Sequence, residues 1–184
     1  MFKKLSILLL IISTLLLSSC SLAGSLAGSL GGSKTNMIHI ENDEKVADGR
    51  LVKILEAIKS KDKNDLKAMF SEQALDKADD IDGKIDYLFS FFQGKVTSWV
   101  DNSGGPIVYE SNDYGHMTKE LISFYNVNTD GQEYLFFILK YSVDTDHPEN
   151  VGLYTLRVIK AEDEKTQFGY WTDMKIAGIY KPKK

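Results

Sequence analysis

Tyr134-Leu-Phe-Phe-Ile-Leu139 is an uninterrupted apolar run, and Tyr141 and Val143 continue it. Aromatic and branched residues in a run of this length are typical of a strand that is covered on both faces. Alternation assigns these side chains to two opposite faces: Phe137, Leu139 and Tyr141 on one, Phe136 and Ile138 on the other. The sequence therefore predicts a central strand with apolar packing on both sides.

Other strand-like segments and turn signals surround this run. Asn128-Thr-Asp-Gly131 precedes it, and Asp-Gly readily supplies the positive φ angles of a hairpin turn. Asp144-Thr-Asp-His-Pro-Glu-Asn150 turns the chain after it. The predicted neighbouring strands are 96–100, 117–126, 151–160 and, near the end, 168–171 with 175–180.

Helical periodicity replaces alternation before residue 95. Apolar residues from Val46 to Ile58 recur at helical spacing and predict a helix over about 43–60, with Asp43 and Glu44 in its first turn. A second helical stretch covers 65–70, Ser71 is placed to cap a third, and a fourth runs from Ile81 to Phe92.

Helices first and antiparallel strands second predict an α+β fold with the helices packed on one sheet. A strongly curved sheet around an apolar cavity would cover the second face of the central strand. Such a domain resembles the nuclear transport factor two-like fold, also called cystatin-like, in which helices and a curved antiparallel sheet form a cone.

Two C-terminal segments carry a closer resemblance. Gly152-Leu-Tyr-Thr-Leu-Arg-Val-Ile-Lys-Ala161 and Tyr170-Trp-Thr-Asp-Met-Lys-Ile-Ala-Gly-Ile-Tyr-Lys-Pro182 resemble an uncharacterised-domain family of lipoproteins from Gram-positive bacteria. The resemblance covers about 46–182. It implies the cone-like fold and a cell-surface location, and it brings no activity with it.

The N-terminus has the three parts of a secretory signal peptide: Lys3 and Lys4, an apolar segment from Leu5 to Leu17, and a small-residue end. Leu17-Ser-Ser-Cys20 resembles the bacterial lipobox. The resemblance implies cleavage between Ser19 and Cys20 and a diacylglyceryl group on the thiol of Cys20, with an acyl chain such as palmitate. Two acyl chains suffice for stable membrane attachment.

Two other interpretations of this segment are less favourable. Thirteen apolar residues span about 20 Å as a helix, whereas the hydrocarbon core of a bilayer is about 30 Å thick, so an uncleaved transmembrane anchor would be short. A buried free cysteine is disfavoured because nothing near Cys20 is patterned as a folded core. We therefore expect a lipid-anchored protein of the cell membrane that faces outside the cytoplasm.

These signals divide the chain into three parts. Residues 1–19 form the lipoprotein signal peptide, and 20–40 form the lipidated cysteine with a tether built from Ser-Leu-Ala-Gly repeats. A single α+β domain is expected over 41–184. Gly28 to Thr35 superficially resembles a phosphate-binding loop, but Ser33 stands where the motif needs glycine before the lysine.

Charge and cysteine content exclude several classes. Without residues 1–19, which carry two lysines and no acid, 20 basic residues face 26 acidic ones, a net charge of −6. Such a chain lacks the basic surface that nucleic acid requires. Its only cysteine is Cys20, so the mature domain has no internal disulfide.

No catalytic or metal motif is recognisable. His39, His116 and His147 lie outside any nucleophile or zinc pattern, and the Asp-rich turns lack the distant glutamate of a calcium loop. We therefore expect no cofactor and no metal. The candidate site is the cavity itself, for which aromatic walls and polar tips are available in Trp99, Tyr125, Tyr141, Arg157, Trp171 and Asp173.

Three functions fit this pattern. The first is a noncatalytic, membrane-anchored binding domain for a small molecule, a peptide or an envelope protein. The second is a small enzyme of the ketosteroid isomerase kind, with a carboxylate such as Asp173 and a tyrosine in the cavity. The third is a structural subunit of the envelope, which requires an exposed apolar patch.

Overall fold

The computed structural model describes residues 33–168 and 174–182, with the backbone alone for 33–41. Thr35–Lys184 is one compact unit. Within the described residues, every buried core side chain lies between Asp43 and Ile179. This unit therefore contains the described hydrophobic core, as a domain that folds alone requires.

Within the described ranges, four α-helices precede the sheet and a short one follows its fifth strand. Their bounds are α1 Ser33–Ser60, α2 Lys63–Ala68, α3 Glu72–Lys77, α4 Ile81–Phe91 and α5 Glu164–Gln167. The first helix begins at Ser33 instead of near residue 43, so part of the expected tether is helical. The helix predicted over 65–70 ends at Ala68, and Phe70 instead pairs with Leu153 in an isolated parallel bridge.

Side-chain caps fix where the short helices begin. The Ser71 hydroxyl accepts a hydrogen bond from the Ala74 amide at 3.1 Å, which confirms the predicted cap. Asp62 and Asp80 accept equivalent bonds from Asp65 and Gly83 at the starts of α2 and α4.

The sheet is curved and not closed, and it is mostly antiparallel. Its strands are β1 Val96–Asp101, β2 Ile107–Asp113, β3 His116–Thr129, β4 Glu133–Asp144, β5 Gly152–Lys160 and β6 Gly178–Ile179. The order is β1-β3-β4-β5-β6, and β2 pairs with the first half of β3 beside β1. The predicted α+β class is confirmed.

Two strands differ from expectation. β2, where no strand was predicted, places His116 at the start of β3 instead of within a polar turn. β6 has only two residues and pairs with β5 in parallel, so the predicted antiparallel strand over 175–180 is wrong in direction and length. The other predicted terminal strand, 168–171, lies outside the described residues after Phe168.

The central strand β4 is covered on both faces, as predicted. Phe136 and Ile138 pack in the main core with the helices, whereas Phe137 and Leu139 pack on the opposite face with Met174 and Phe168. Tyr141 joins this second cluster, which confirms the predicted alternation. Helices thus cover one face of β4, and Phe168 and Met174 pack on the other.

Asp43 has a different role from the one predicted. It lies well inside α1, it is buried, and its carboxylate pairs with the Lys119 ammonium group at 2.8 Å. Because α1 starts earlier than predicted, Asp43 is not in its first turn, and its ion pair with Lys119 connects the helix to β3.

Candidate functional site

An open groove of about 580 Å³ lies between α1, α4 and β1. It is lined by residues from 52–61, by residues from 89–96 and by Trp99. Its volume falls in the range of about 300–1,000 Å³ that is usual for small-molecule sites. We call this cavity the groove.

The floor of the groove is apolar. Ile58, Phe89 and Phe92 are buried beneath it, and Leu55 is half-buried at its side. Val52 lines the same wall and is 38% exposed, although valine usually lies in the interior. An apolar ligand in the groove would remove this surface from water.

A bulge in β1 aims two side chains into the groove. The pairing of β1 with β3 shifts between Val96 and Ser98. A bulge adds one residue to one strand, so side chains three positions apart reach the same face. Val96 and Trp99 therefore both line the groove.

Trp99 is held by a chain of contacts that ends on α1. Its ring meets the Tyr125 ring edge-on, with 5.7 Å between ring centroids. Tyr125 is fully buried, and its hydroxyl donates to Asp48 Oδ1 at 2.9 Å. Burial is the main cause that raises the pKa of Tyr125, and this hydrogen bond is the next. The phenol therefore stays neutral, and Tyr125 holds the Trp99 wall of the groove in place.

The turn that closes the groove is pinned at both ends. The Tyr134 hydroxyl accepts from the Gln93 amide at 2.9 Å, and Asp130 Oδ1 accepts from the Lys95 amide at 2.9 Å. Gly94 between them has φ +87°, a conformation that favours glycine. Lys95 is therefore presented to the groove from a defined backbone position.

The end of α1 forms the opposite rim. The Asp62 amide donates to the Ala57 carbonyl and the Lys61 amide to the Ile58 carbonyl, the two bonds of a Schellman motif. Lys61 occupies the left-handed position of this motif, with φ +53°. Glycine usually stands there, so a side chain is retained at this rim despite a backbone cost.

Three ammonium groups and one carboxylate line the groove. Lys59, Lys61 and Lys95 are exposed, as is Glu56. In the part of the chain that the structure describes, none of the three lysines forms an ion pair. The groove therefore has an apolar floor and a rim with excess positive charge.

The four described residues among the six predicted to line one cavity are divided between the two faces of the sheet. Trp99 and Tyr125 lie on the helix side of the sheet, and only Trp99 lines the groove. Tyr141 packs on the opposite side. Trp171 and Asp173 lie outside the described residues, as do the cleavage residue Ser19 and the lipidation residue Cys20.

Arg157 holds the C-terminal segment against the sheet. Its guanidinium lies 3.8 Å from the Tyr180 ring centroid and 5.5 Å from that of Phe168. It also donates to the Gln167 carbonyl at 2.7 Å, while the Tyr180 hydroxyl donates to the Gln167 side chain at 2.7 Å. Because Arg157 is only 2% exposed, its contacts are internal.

Tyr141 belongs to a polar cluster at a second, shallower depression of about 380 Å³. It is opposite Glu120 in the β3–β4 register, and Lys175 Nζ lies 2.8 Å from each Glu120 carboxylate oxygen. Burial and the neighbouring Glu120 carboxylate raise the pKa of Tyr141 to about 12. The Glu120 carboxylate is thus already engaged in an ion pair with Lys175.

His116 and His147 lie at exposed positions near acids. His116 Nδ1 is 2.6 Å from Asp146 Oδ1, and His147 Nδ1 is 3.1 Å from Glu149 Oε1. Among the residues described, no three or more histidine, cysteine or acidic side chains are grouped so as to hold a metal ion. None of the helices in residues 33–168 and 174–182 has the length and hydropathy of a membrane span.

A domain of unknown function, DUF5104, matches residues 53–161, which is more than half of the chain. The match includes the groove residues of α4 and β1 and most of those of α1. No curated protein matches the chain.

Proposed function

Because the chain belongs to the DUF5104 family, whose function is unknown, we propose its function from the site: a noncatalytic binding domain for a small apolar ligand. We further propose that a lipid on Cys20 holds this domain outside the cytoplasm. The observation that carries the binding proposal is the open apolar groove beside the helix layer.

The construction of the groove supports binding. Its walls are prepared in advance, since Tyr125 fixes Trp99 and the pinned turn fixes Lys95. A site that needs little ordering loses less free energy when a ligand binds. The exposed Val52 and the half-buried Leu55 supply apolar surface that a ligand would bury.

The lining of the groove favours binding over catalysis. An enzyme of the ketosteroid isomerase kind needs a carboxylate and a tyrosine in one enclosed pocket. Of the described residues that line the groove, none is a tyrosine, and the one carboxylate, Glu56, is exposed. The Tyr141–Glu120 pair lies elsewhere, and Lys175 already neutralises its carboxylate.

The proposed location rests on the sequence. Leu17-Ser-Ser-Cys20 and the segment before it supply the parts of a lipoprotein signal, and the cell is proposed to be Gram-positive with a single membrane. The curved sheet with helices on one face is also what a nuclear transport factor two-like cone requires, and we propose that this domain is one.

Fluorescence of N-phenyl-1-naphthylamine, a neutral apolar dye, tests the groove directly. Residues 33–184 are expected to bind the dye with a blue-shifted emission. Val52→Gln should weaken binding about fivefold, because it puts a polar amide into the apolar wall. Val151→Gln is the matched control, since Val151 is 43% exposed away from the groove. Absence of dye binding, or equal loss in both variants, would contradict the binding proposal.

Fatty-acid labelling of the full chain in a Gram-positive host tests the anchor. The wild-type protein should incorporate labelled palmitate and lose its signal peptide, whereas Cys20→Ala should do neither. Normal labelling of the Cys20→Ala protein would refute the lipobox interpretation.

A further inference from the structure

We propose that the ligand of the groove is an amphiphile with one apolar chain and one anionic head group, such as a fatty carboxylate. This inference rests on the proposed binding function and adds the chemical class of the ligand. It is carried by the placement of lysines around an apolar floor.

The rim of the groove is positively charged, whereas the whole chain is negatively charged. The protein as a whole has a net charge of −4. The groove instead presents Lys59, Lys61 and Lys95 against the single acid Glu56. Local excess positive charge on an acidic protein attracts an anion to this place and not to the rest of the surface.

The backbone conformation of Lys61 is a second reason to infer that the rim binds an anionic head group. Its left-handed backbone conformation is one in which glycine costs less. Helix-end electrostatics alone explains a basic residue in the last turn of α1, where Lys59 lies. It does not explain why a side chain is retained at the strained position just beyond the helix.

Lys95 adds a third cation from a different part of the chain. Asp130 accepts a hydrogen bond from the Lys95 backbone amide. The carboxylate therefore fixes the backbone of Lys95, and the ammonium group has no ion-pair partner among the described residues. Cations from the α1 end and from the turn before β1 thus face one apolar floor.

The apolar floor of the groove indicates the apolar chain of the ligand. Leu55, Phe92 and Trp99 offer aliphatic and aromatic surface. Such surface matches an alkyl chain, whose burial is driven by the hydrophobic effect. Because about 580 Å³ is the volume of a site for one small molecule, we assign one chain.

Displacement of the bound dye by ligands of equal chain length tests the head group. Decanoate, 1-decanol and decylamine are titrated against dye-loaded residues 33–184 at pH 7. Decanoate should displace the dye at about tenfold lower concentration than decanol, because an exposed ion pair changes affinity by up to about fivefold and three cations are available. Decylamine should be the weakest, and added salt should reduce the advantage of decanoate.

A triple variant, Lys59→Gln with Lys61→Gln and Lys95→Gln, should remove the preference for decanoate, which is measured as the ratio of the decanol to the decanoate concentration that displaces half of the dye. The matched control changes Lys77, Lys84 and Lys165 to glutamine, which removes the same charge outside the groove and should retain the preference. Circular dichroism confirms that each variant is folded.

The outcomes separate the two proposals. If the dye binds but decanoate and decanol compete equally, or the groove triple keeps the preference, the head-group inference is overturned and the binding function stands. If the dye does not bind the folded protein, both are overturned.

Discussion

Lys61 combines a strained backbone with a place at the rim of the groove. A non-glycine residue in the left-handed region costs about 1–2 kcal/mol relative to the right-handed helix. The Schellman motif requires that conformation at φ +53°. Stability favours glycine at this position, whereas the proposed ligand binding favours lysine.

Lys61→Gly should raise the free energy of unfolding by about 0.5–1 kcal/mol, because the relief of strain exceeds the entropy that glycine adds to the unfolded chain. The same variant should bind decanoate less tightly. Urea denaturation and dye displacement measure the two effects. Lys61→Ala is the control: it removes the ammonium group but keeps the strain, so only binding should weaken. A Lys61→Gly protein that is less stable than the Lys61→Ala protein would contradict this view of the rim.

The raised pKa of Tyr141 predicts that the free energy of unfolding depends on pH in the alkaline range. Burial and Glu120 raise its pKa to about 12, whereas tyrosine in the unfolded chain titrates near about 10. The folded state then holds the proton more tightly than the unfolded state. Its contribution is complete below about pH 10 and is lost as the pH rises from about 10 towards 12.

Tyr141→Phe should accordingly flatten the decline in the free energy of unfolding above about pH 10. Tyr114→Phe is the control, because Tyr114 is 98% exposed and its removal should leave the decline unchanged. Denaturation curves collected from pH 9 to pH 11.5 make the comparison. Parallel declines in both variants would show that Tyr141 does not titrate as described.

At the scale of elements, the turn between α4 and β1 decides the shape of the groove. A Cβ atom at Gly94 would lie 2.6 Å from Asp130 Oδ1 and 2.9 Å from Thr129 Cβ. Asp130 cannot move freely, since it accepts the Lys95 amide hydrogen bond. The turn thus requires glycine for both its φ angle and its space.

Gly94→Ala should lower the free energy of unfolding by about 2–4 kcal/mol, the sum of left-handed strain and overpacking. Gly104→Ala isolates the first effect, because Gly104 has φ +75° and a Cβ atom added there would meet no neighbouring atom within 4 Å. Its cost should be about 1 kcal/mol. Chemical denaturation of both variants gives the difference, and equal losses would remove the steric argument.

The sequence predicted elements whose residues alternate or recur clearly. The apolar run 134–139 indicated β4 and its two faces, and Ser71 indicated the cap of α3. β2 has no such signal, because Tyr109-Glu-Ser-Asn-Asp113 is exposed throughout. β6 is too short for any local pattern, and only pairing with β5 makes it a strand.

The groove was not predicted, for a different reason. Val52, Phe92 and Trp99 each have the pattern of an ordinary core or surface residue in their own element. A β-bulge and a pinned turn bring them together. Neither the strand shift nor the contact between Asp130 and Lys95 is visible in local periodicity. The four described residues of the predicted cavity are divided between two faces of the sheet, since alternation does not reveal which face is filled.

At the scale of the molecule, the two faces of the sheet are covered by different parts of the chain. One face carries the helices and, at their edge, the groove. The other is covered by the C-terminal segment that Arg157 and Tyr180 hold in place. The groove on the helix side is open, and the proposal that a ligand binds there is the central claim.

Native mass spectrometry of residues 33–184 after incubation with decanoate tests that claim most directly. We predict a one-to-one complex that is present in the native spectrum and absent from the denatured one. A native spectrum that shows only the bare, folded chain at every decanoate concentration would contradict the claim.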